Sequence, residues 1–283
     1  MKKRILAVAV AGLMAMSLAA CGGSSGSGSS EADKTTAAAA DSSQADASKT
    51  DGAGGKKINV IAKGFQHQFW KAVEKGAMQA GSELGAEVTF QGPDNESAIA
   101  QQIEYLDAAI AQKPAAICFA ALDTQASLGS IQTAMDAGIP IIGFDSGVPD
   151  APAGAIKANA STNNLEAGKL AADETYKLIK DKIDGASGTV RIGVVAQESN
   201  SQSIVERTKG FVEEMKKNIG EDKVSVEGHD SLKAEKAGAP VVIDVGIPAE
   251  VKDADGAAVA SAILEKSDLI AIYGSNEFAA NAI

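Results

Sequence analysis

From Ile58 onward, short apolar runs alternate with stretches in which apolar residues recur every three or four positions. INVIA (58–62) predicts a strand, and the following Val73, Ala77, Ala80 and Leu84 fall at helical spacing. EVTFQG (87–92) predicts a second strand closed by Gly92-Pro93. Asp94 and Asn95 are then placed to cap a helix carrying Ile99, Ile103, Leu106 and Ile110. PAAICFAAL (114–122) is apolar throughout, the pattern of a parallel strand buried on both faces. A helix through Ile131 and Met135 ends at Gly138, a natural residue for the left-handed turn after a helix, and IPIIGFD (139–145) predicts the next strand.

The order βαβαβαβ is the doubly wound parallel pattern. After AIKANAST it restarts, with a helix near Leu165–Ile183, strand TVRIGVVAQ (189–197) and a helix through Val205, Phe211 and Met215. Strand KVSVEG (223–228), a helix near Ala257–Leu264 and strand DLIAIYGS (268–275) complete it. A repeated unit predicts an α/β protein of two Rossmann-like doubly wound lobes, 57–160 and 161–283, with the chain crossing between them near Ala158–Asn164. The stretch 231–256 carries an apolar run of its own, PVVIDVG, which reads as an extra strand or a surface insertion.

The first residues follow a different logic. Lys2, Lys3 and Arg4 precede the apolar stretch Ile5–Leu18, which is too short to span a bilayer. Residues 1–20 therefore predict an export signal. The LAAC that ends at Cys21 resembles a bacterial lipobox, which implies cleavage before Cys21 and acylation of that cysteine. Residues 21–56 are Gly, Ser, Ala, Asp and Thr with almost no large apolar side chain, a composition predicting a disordered tether. Its G-x-S-x-G at Gly22–Gly26 lies outside any strand–helix turn and carries no nucleophile.

Loss of Lys2, Lys3 and Arg4 would take the net charge from −11 to −14, which excludes nucleic acid as a partner and makes the acyl chains the membrane contact. With Cys21 acylated, Cys118 has no disulfide partner; it sits in an apolar run and reads as a small core residue.

In open parallel sheets, ligands bind beyond the carboxyl ends of the strands. That rule selects Lys63 to Trp70, Asp123, and Asp145 with Ser146 in the first lobe. In the second it selects Gln197 to Asn200 and Ser275 to Glu277. Planar rings suit the C–H faces of a sugar, and Lys, His, Asp, Arg and Asn suit its hydroxyl rim. Each has a plainer role available: Trp70 as a staple of helix to sheet, Lys63 as a solvated strand-end charge, Asp145 as a turn cap, Arg207 as a surface residue of a charged helix.

At this point four motifs resemble one family: INVIAKGFQHQFW, IPIIGFDSG, ERTKGF and AIYGSNEFA. In order and spacing they are similar to the type I periplasmic sugar-binding proteins, the ribose- and galactose-binding-like receptors of ABC importers, from about residue 57 to the last. The resemblance implies two lobes closing over a small sugar or polyol, delivery to ABC permease subunits, no cofactor and no enzymatic activity. It places Lys63, His67, Phe69 and Trp70 on the first-lobe wall. Asp145 with Ser146 falls at a carboxylate position for sugar hydroxyls, Arg207 at the cleft arginine, and Asn276 at the asparagine after a strand. It also implies a location on the outer face of the membrane.

Lys63 with EVTFQGP and GFDSG also looks like the autoinducer-2 receptors of the same fold, the alternative reading. An NAD-dependent oxidoreductase would need a glycine-rich turn after the first strand, where AKGFQHQFW has one glycine and bulky rings. The family would also continue past Ile283 with a further strand and a return to the first lobe. The expectation is therefore an incomplete second lobe with reduced core and low stability.

Overall fold

The structure is a computed structural model that describes residues 55–65 and 67–283; the leader, Cys21 and nearly all of the tether lie outside them. The first lobe runs β1 (Lys57–Ile61), α1 (Gln68–Leu84), β2 (Glu87–Gln91), α2 (Ile99–Ala111), β3 (Ala116–Phe119), α3 (Leu128–Asp136), β4 (Ile141–Phe144) and β5 (Ile156–Ala160). Its strands form one parallel sheet in the order β2-β1-β3-β4-β5. The second lobe runs α4 (Asn164–Asp184), β6 (Val190–Val195), α5 (Gln202–Ile219), β7 (Val224–Glu227), β8 (Val241–Gly246), α6 (Asp253–Leu264), β9 (Leu269–Gly274) and α7 (Glu277–Ala282). Its parallel sheet has the order β7-β8-β6-β9.

Both sheets are covered on two faces, as parallel sheets require. In the first lobe, Leu106, Ile110 and Ile131 from α2 and α3 pack on Ile61, Ile117, Phe119 and Ile141. On the opposite face Trp70 packs with Ala62, Ala120, Phe90 and Phe144. In the second lobe Phe211, Val212 and Met215 of α5 meet Ile192, Val194, Val226 and Ile243. Val195, Ile263 and Phe278 fill the other face. Helices α4 and α5 cross at Gly168 and Gly210. A Cβ on Gly168 would run into the carbonyl of Arg207, and one on Gly210 into that of Leu165.

Of the two readings open for PVVIDVG, the extra strand is the one found: it is β8, inside the sheet between β6 and β7. Three details differ from the sequence expectation. Residues 156–160 form the edge strand β5, almost wholly exposed, so no apolar run announced it; the crossing shrinks to 161–163. Helix α2 begins after Ala98 with no side-chain cap, because Asn95 Oδ1 accepts instead from Ser97 N–H within the preceding turn at 2.9 Å. On α1, Ala80 and Leu84 are exposed. The inward stripe is Trp70, Val73, Ala77 and Gly81, buried at Trp70 and Gly81 and half-buried between them, with Gly81 set against Val88 of β2.

Candidate functional site

The carboxyl ends of both sheets face one cleft. The first sheet reverses its winding between β1 and β3, the second between β6 and β9, and ligand groups gather beyond such points. Gln102 secures the first of these ends. Its amide nitrogen donates to the carbonyls of Ala62 and Ala120, and its oxygen accepts from Leu122 N–H.

Lys63, just beyond β1, is buried, with only 3 % of its surface exposed. Its Nζ lies 3.6 Å from Asp145 Oδ2 and 3.7 Å from Glu96 Oε2, and donates across the cleft to Ser201 Oγ at 3.4 Å and Ser203 Oγ at 3.5 Å. Burial alone would lower its pKa, but Asp145, Glu96 and Glu198 outweigh burial and hold it above the ordinary lysine value. It is therefore a charged, oriented donor and not a solvated strand-end charge.

Glu96 forms the floor. It follows β2 and is 5 % exposed. Trp70 Nε1–H donates to its Oε1 at 2.8 Å, Gln197 Nε2–H to its Oε2 at 2.9 Å, and His67 Nε2 stands 3.7 Å from Oε1. After β2, unlike β1, β3 and β4, the sequence signals a helix start, with Asp94 and Asn95 as candidate caps just before Glu96. The strand-end rule applied to β2 would have found Glu96.

Asp145 ends β4 with φ +54°, a left-handed conformation that costs a non-glycine residue energy and aims its carboxylate back into the cleft. Burial raises its pKa above the usual aspartate value, with Lys63 pulling the other way. Ser146 is buried behind it. It reaches the second lobe, accepting from Ser203 N–H at 3.3 Å, but does not line the cavity.

Across the cleft, Arg207 of α5 donates through Nη1 to the Ser275 carbonyl at 2.9 Å and through Nη2 to Asn164 Oδ1 at 2.6 Å. Its Nε, like His67 Nε2, is buried without a partner among the described residues, so both are available to a ligand hydroxyl. Asn276 caps α7 through Oδ1 and donates to Gln197 Oε1 at 2.6 Å.

These groups enclose a cavity of about 130 Å³ lined by Lys63, His67, Phe69, Trp70, Asp145, Arg207 and Asn276 together with Glu96, Ser203, Ile204 and Glu277. Seven of the eight expected positions meet there. Trp70 departs from the expected role: it is 2 % exposed, its ring is packed on the sheet, and it serves the site through its N–H. Phe69, 46 % exposed and edge-on to Trp70 at 4.9 Å, is the ring at the cavity. The arrangement offers ionised and amide groups around one apolar ring, suited to a small neutral molecule rich in hydroxyls. Among the described residues no helix is long and apolar enough to cross a membrane.

Comparison with known proteins identifies the family. A sequence model described as the periplasmic binding protein domain matches residues 58–283. The chain is 32 % identical to a protein from Brachyspira murdochii described as an ABC transporter, LacI family transcriptional regulator, with a TM-score of 0.64 over 81 % of this chain and 68 % of that one. An ABC transporter solute-binding protein from Agrobacterium vitis with bound D-fucose is 27 % identical, TM-score 0.64, over 79 % and 68 % of the two chains. A carbohydrate transporter solute-binding protein from Agrobacterium radiobacter in complex with D-arabinose is 26 % identical, TM-score 0.63, over 80 % and 68 %.

Proposed function

The chain belongs to the periplasmic binding protein domain family, and on that footing we propose that it captures a small sugar or polyol between its lobes and delivers it to an ABC importer. It works outside the cytoplasm, held to the membrane by lipid on Cys21. The observation that carries this reading is the cavity wall: Lys63, Asp145 and Asn276 from three strand ends and Arg207 from α5 converge on one space beside Phe69. Charged partners roughly double the strength of a hydrogen bond to a hydroxyl and penalise a misplaced one. The D-fucose and D-arabinose of the two Agrobacterium relatives support the same ligand class, since both are small, neutral and polyhydroxylated.

The test is thermal unfolding of the chain with pentoses, hexoses, inositol and autoinducer-2 in turn. A sugar present at about a hundred times its Kd adds about 2.7 kcal/mol of stability, a shift of several degrees. If no carbohydrate or polyol raises the melting temperature, the reading fails. If autoinducer-2 alone does, the protein is a signal receptor.

A further inference from the structure

A series of hydrogen bonds crosses the cleft, and every link in it has a direction. At one end Ala279 N–H donates to Asn276 Oδ1 at 3.0 Å, which turns the Asn276 amide nitrogen toward Gln197 Oε1 at 2.6 Å. Gln197 must then present Nε2, which donates to Glu96 Oε2 at 2.9 Å. At the other end Trp70 Nε1, which can only donate, reaches Glu96 Oε1 at 2.8 Å. A backbone amide and an indole are fixed donors, so two donor series meet head-on at residue 96. Asn276 and Gln197 belong to the second lobe, Glu96 and Trp70 to the first; the Gln197–Glu96 bond is the link between them. Gln197 is fully buried and Glu96 nearly so, so water is not there to replace a lost partner.

We propose that Glu96 is a positioning residue that latches the two lobes. It acts as an ionised carboxylate, the one kind of side chain with two acceptor oxygens and no proton to place between two donors. Lys63 Nζ, 3.7 Å from Oε2, supplies the countercharge. A glutamine at 96 has one acceptor, so its NH2 must face either Trp70 N–H or the Gln197 NH2. Turning Gln197 over sets its NH2 against that of Asn276, and turning Asn276 over gives up the bond from Ala279 N–H. No combination of flips satisfies every group. The swap Glu96→Gln with Gln197→Glu does. Trp70 then donates to the amide oxygen at position 96, and the amide NH2 there donates to the carboxylate now at position 197. Asn276 still donates to that carboxylate from the other side.

The latch rests on the reading that the lobes close over a ligand, and its test separates the two. The four proteins (wild type, E96Q, Q197E and E96Q/Q197E) are unfolded thermally without ligand. D-arabinose and D-fucose dissociation is followed by the emission of Trp70, the sole tryptophan. Each single variant is expected to melt below the wild type, and E96Q to release sugar about 10- to 100-fold faster with association changed by less than about threefold. The double variant recovers more than half of both losses. A merely structural carboxylate would not be rescued by moving it to position 197. Losses that simply add in the double variant overturn the latch. Should the wild type bind no sugar, the proposed function falls, and the ligand-free thermal cycle still upholds or overturns the latch by the same criterion.

Discussion

Replacing Lys63 by Met keeps the apolar stem and removes the charge that the buried Glu96 and half-buried Asp145 carboxylates face. Unit charges at the observed 3.6 and 3.7 Å attract by about 4.5 kcal/mol each at an effective dielectric of about 20. The wild type offsets part of that by desolvating the ammonium group, so breaking the buried cluster is expected to cost a net of about 3–5 kcal/mol. For a domain of this size about 4 kcal/mol lowers the melting temperature by about 8–16 °C.

The pH dependence of K63M has a definite sign. In the wild type Lys63 is held above its ordinary pKa, so its contribution is present at neutral pH and is lost only as pH rises through the folded value. Asp145 is raised by burial and pulled down by Lys63; without the lysine it rises further. Its ionised form then destabilises the fold at pH 7, a penalty that disappears as pH falls through the new, higher pKa. The gap between the two melting temperatures must therefore narrow from pH 7 to pH 5, measured by circular dichroism in matched buffers. A variant that melts within about 2 °C of the wild type, or a gap that widens on acidification, refutes the electrostatic reading.

Gly168→Ala places a methyl against the Arg207 carbonyl where α4 meets α5; the contact is with backbone, so the helix-propensity gain of about 1 kcal/mol is outweighed and urea unfolding should show a net loss of about 1–3 kcal/mol. Cells fed a clickable fatty acid should label the wild-type chain, and Cys21→Ala should abolish the label and free the protein from the membrane fraction; label retained in the variant would remove the proposed anchor.

Strand and helix order was legible because each core strand is a compact apolar run and each helix repeats at its own period. Edge strand β5 was not, since IKANA buries too little to leave a pattern. Position at a strand end found six of the seven expected cavity residues and the family motif supplied Arg207, but neither says what each side chain does there. Trp70 and Phe69 are adjacent and chemically alike, yet one is packed on the sheet and the other faces the cavity, because successive helical residues point about 100° apart. Glu96 follows a Pro-Asp-Asn turn that reads as a helix start. Its role depends on Gln197, a residue 101 positions away that no local pattern connects to it. The depth of Lys63 was hidden for the same reason: its burial is supplied by Ser201 and Ser203 of the other lobe.

The strand β8 is made after β7 yet lies inside it, paired to β6 along Val190–Val195. Residues 228–240 carry no helix and instead fold back on β7, where Val226 and Ala234 exchange backbone bonds of 2.8 and 3.1 Å. The strand β7 thus has ladder partners only downstream of itself, Val241–Asp244 on one side and Ala234 on the other, so its place in the sheet depends wholly on residues that follow it in the chain.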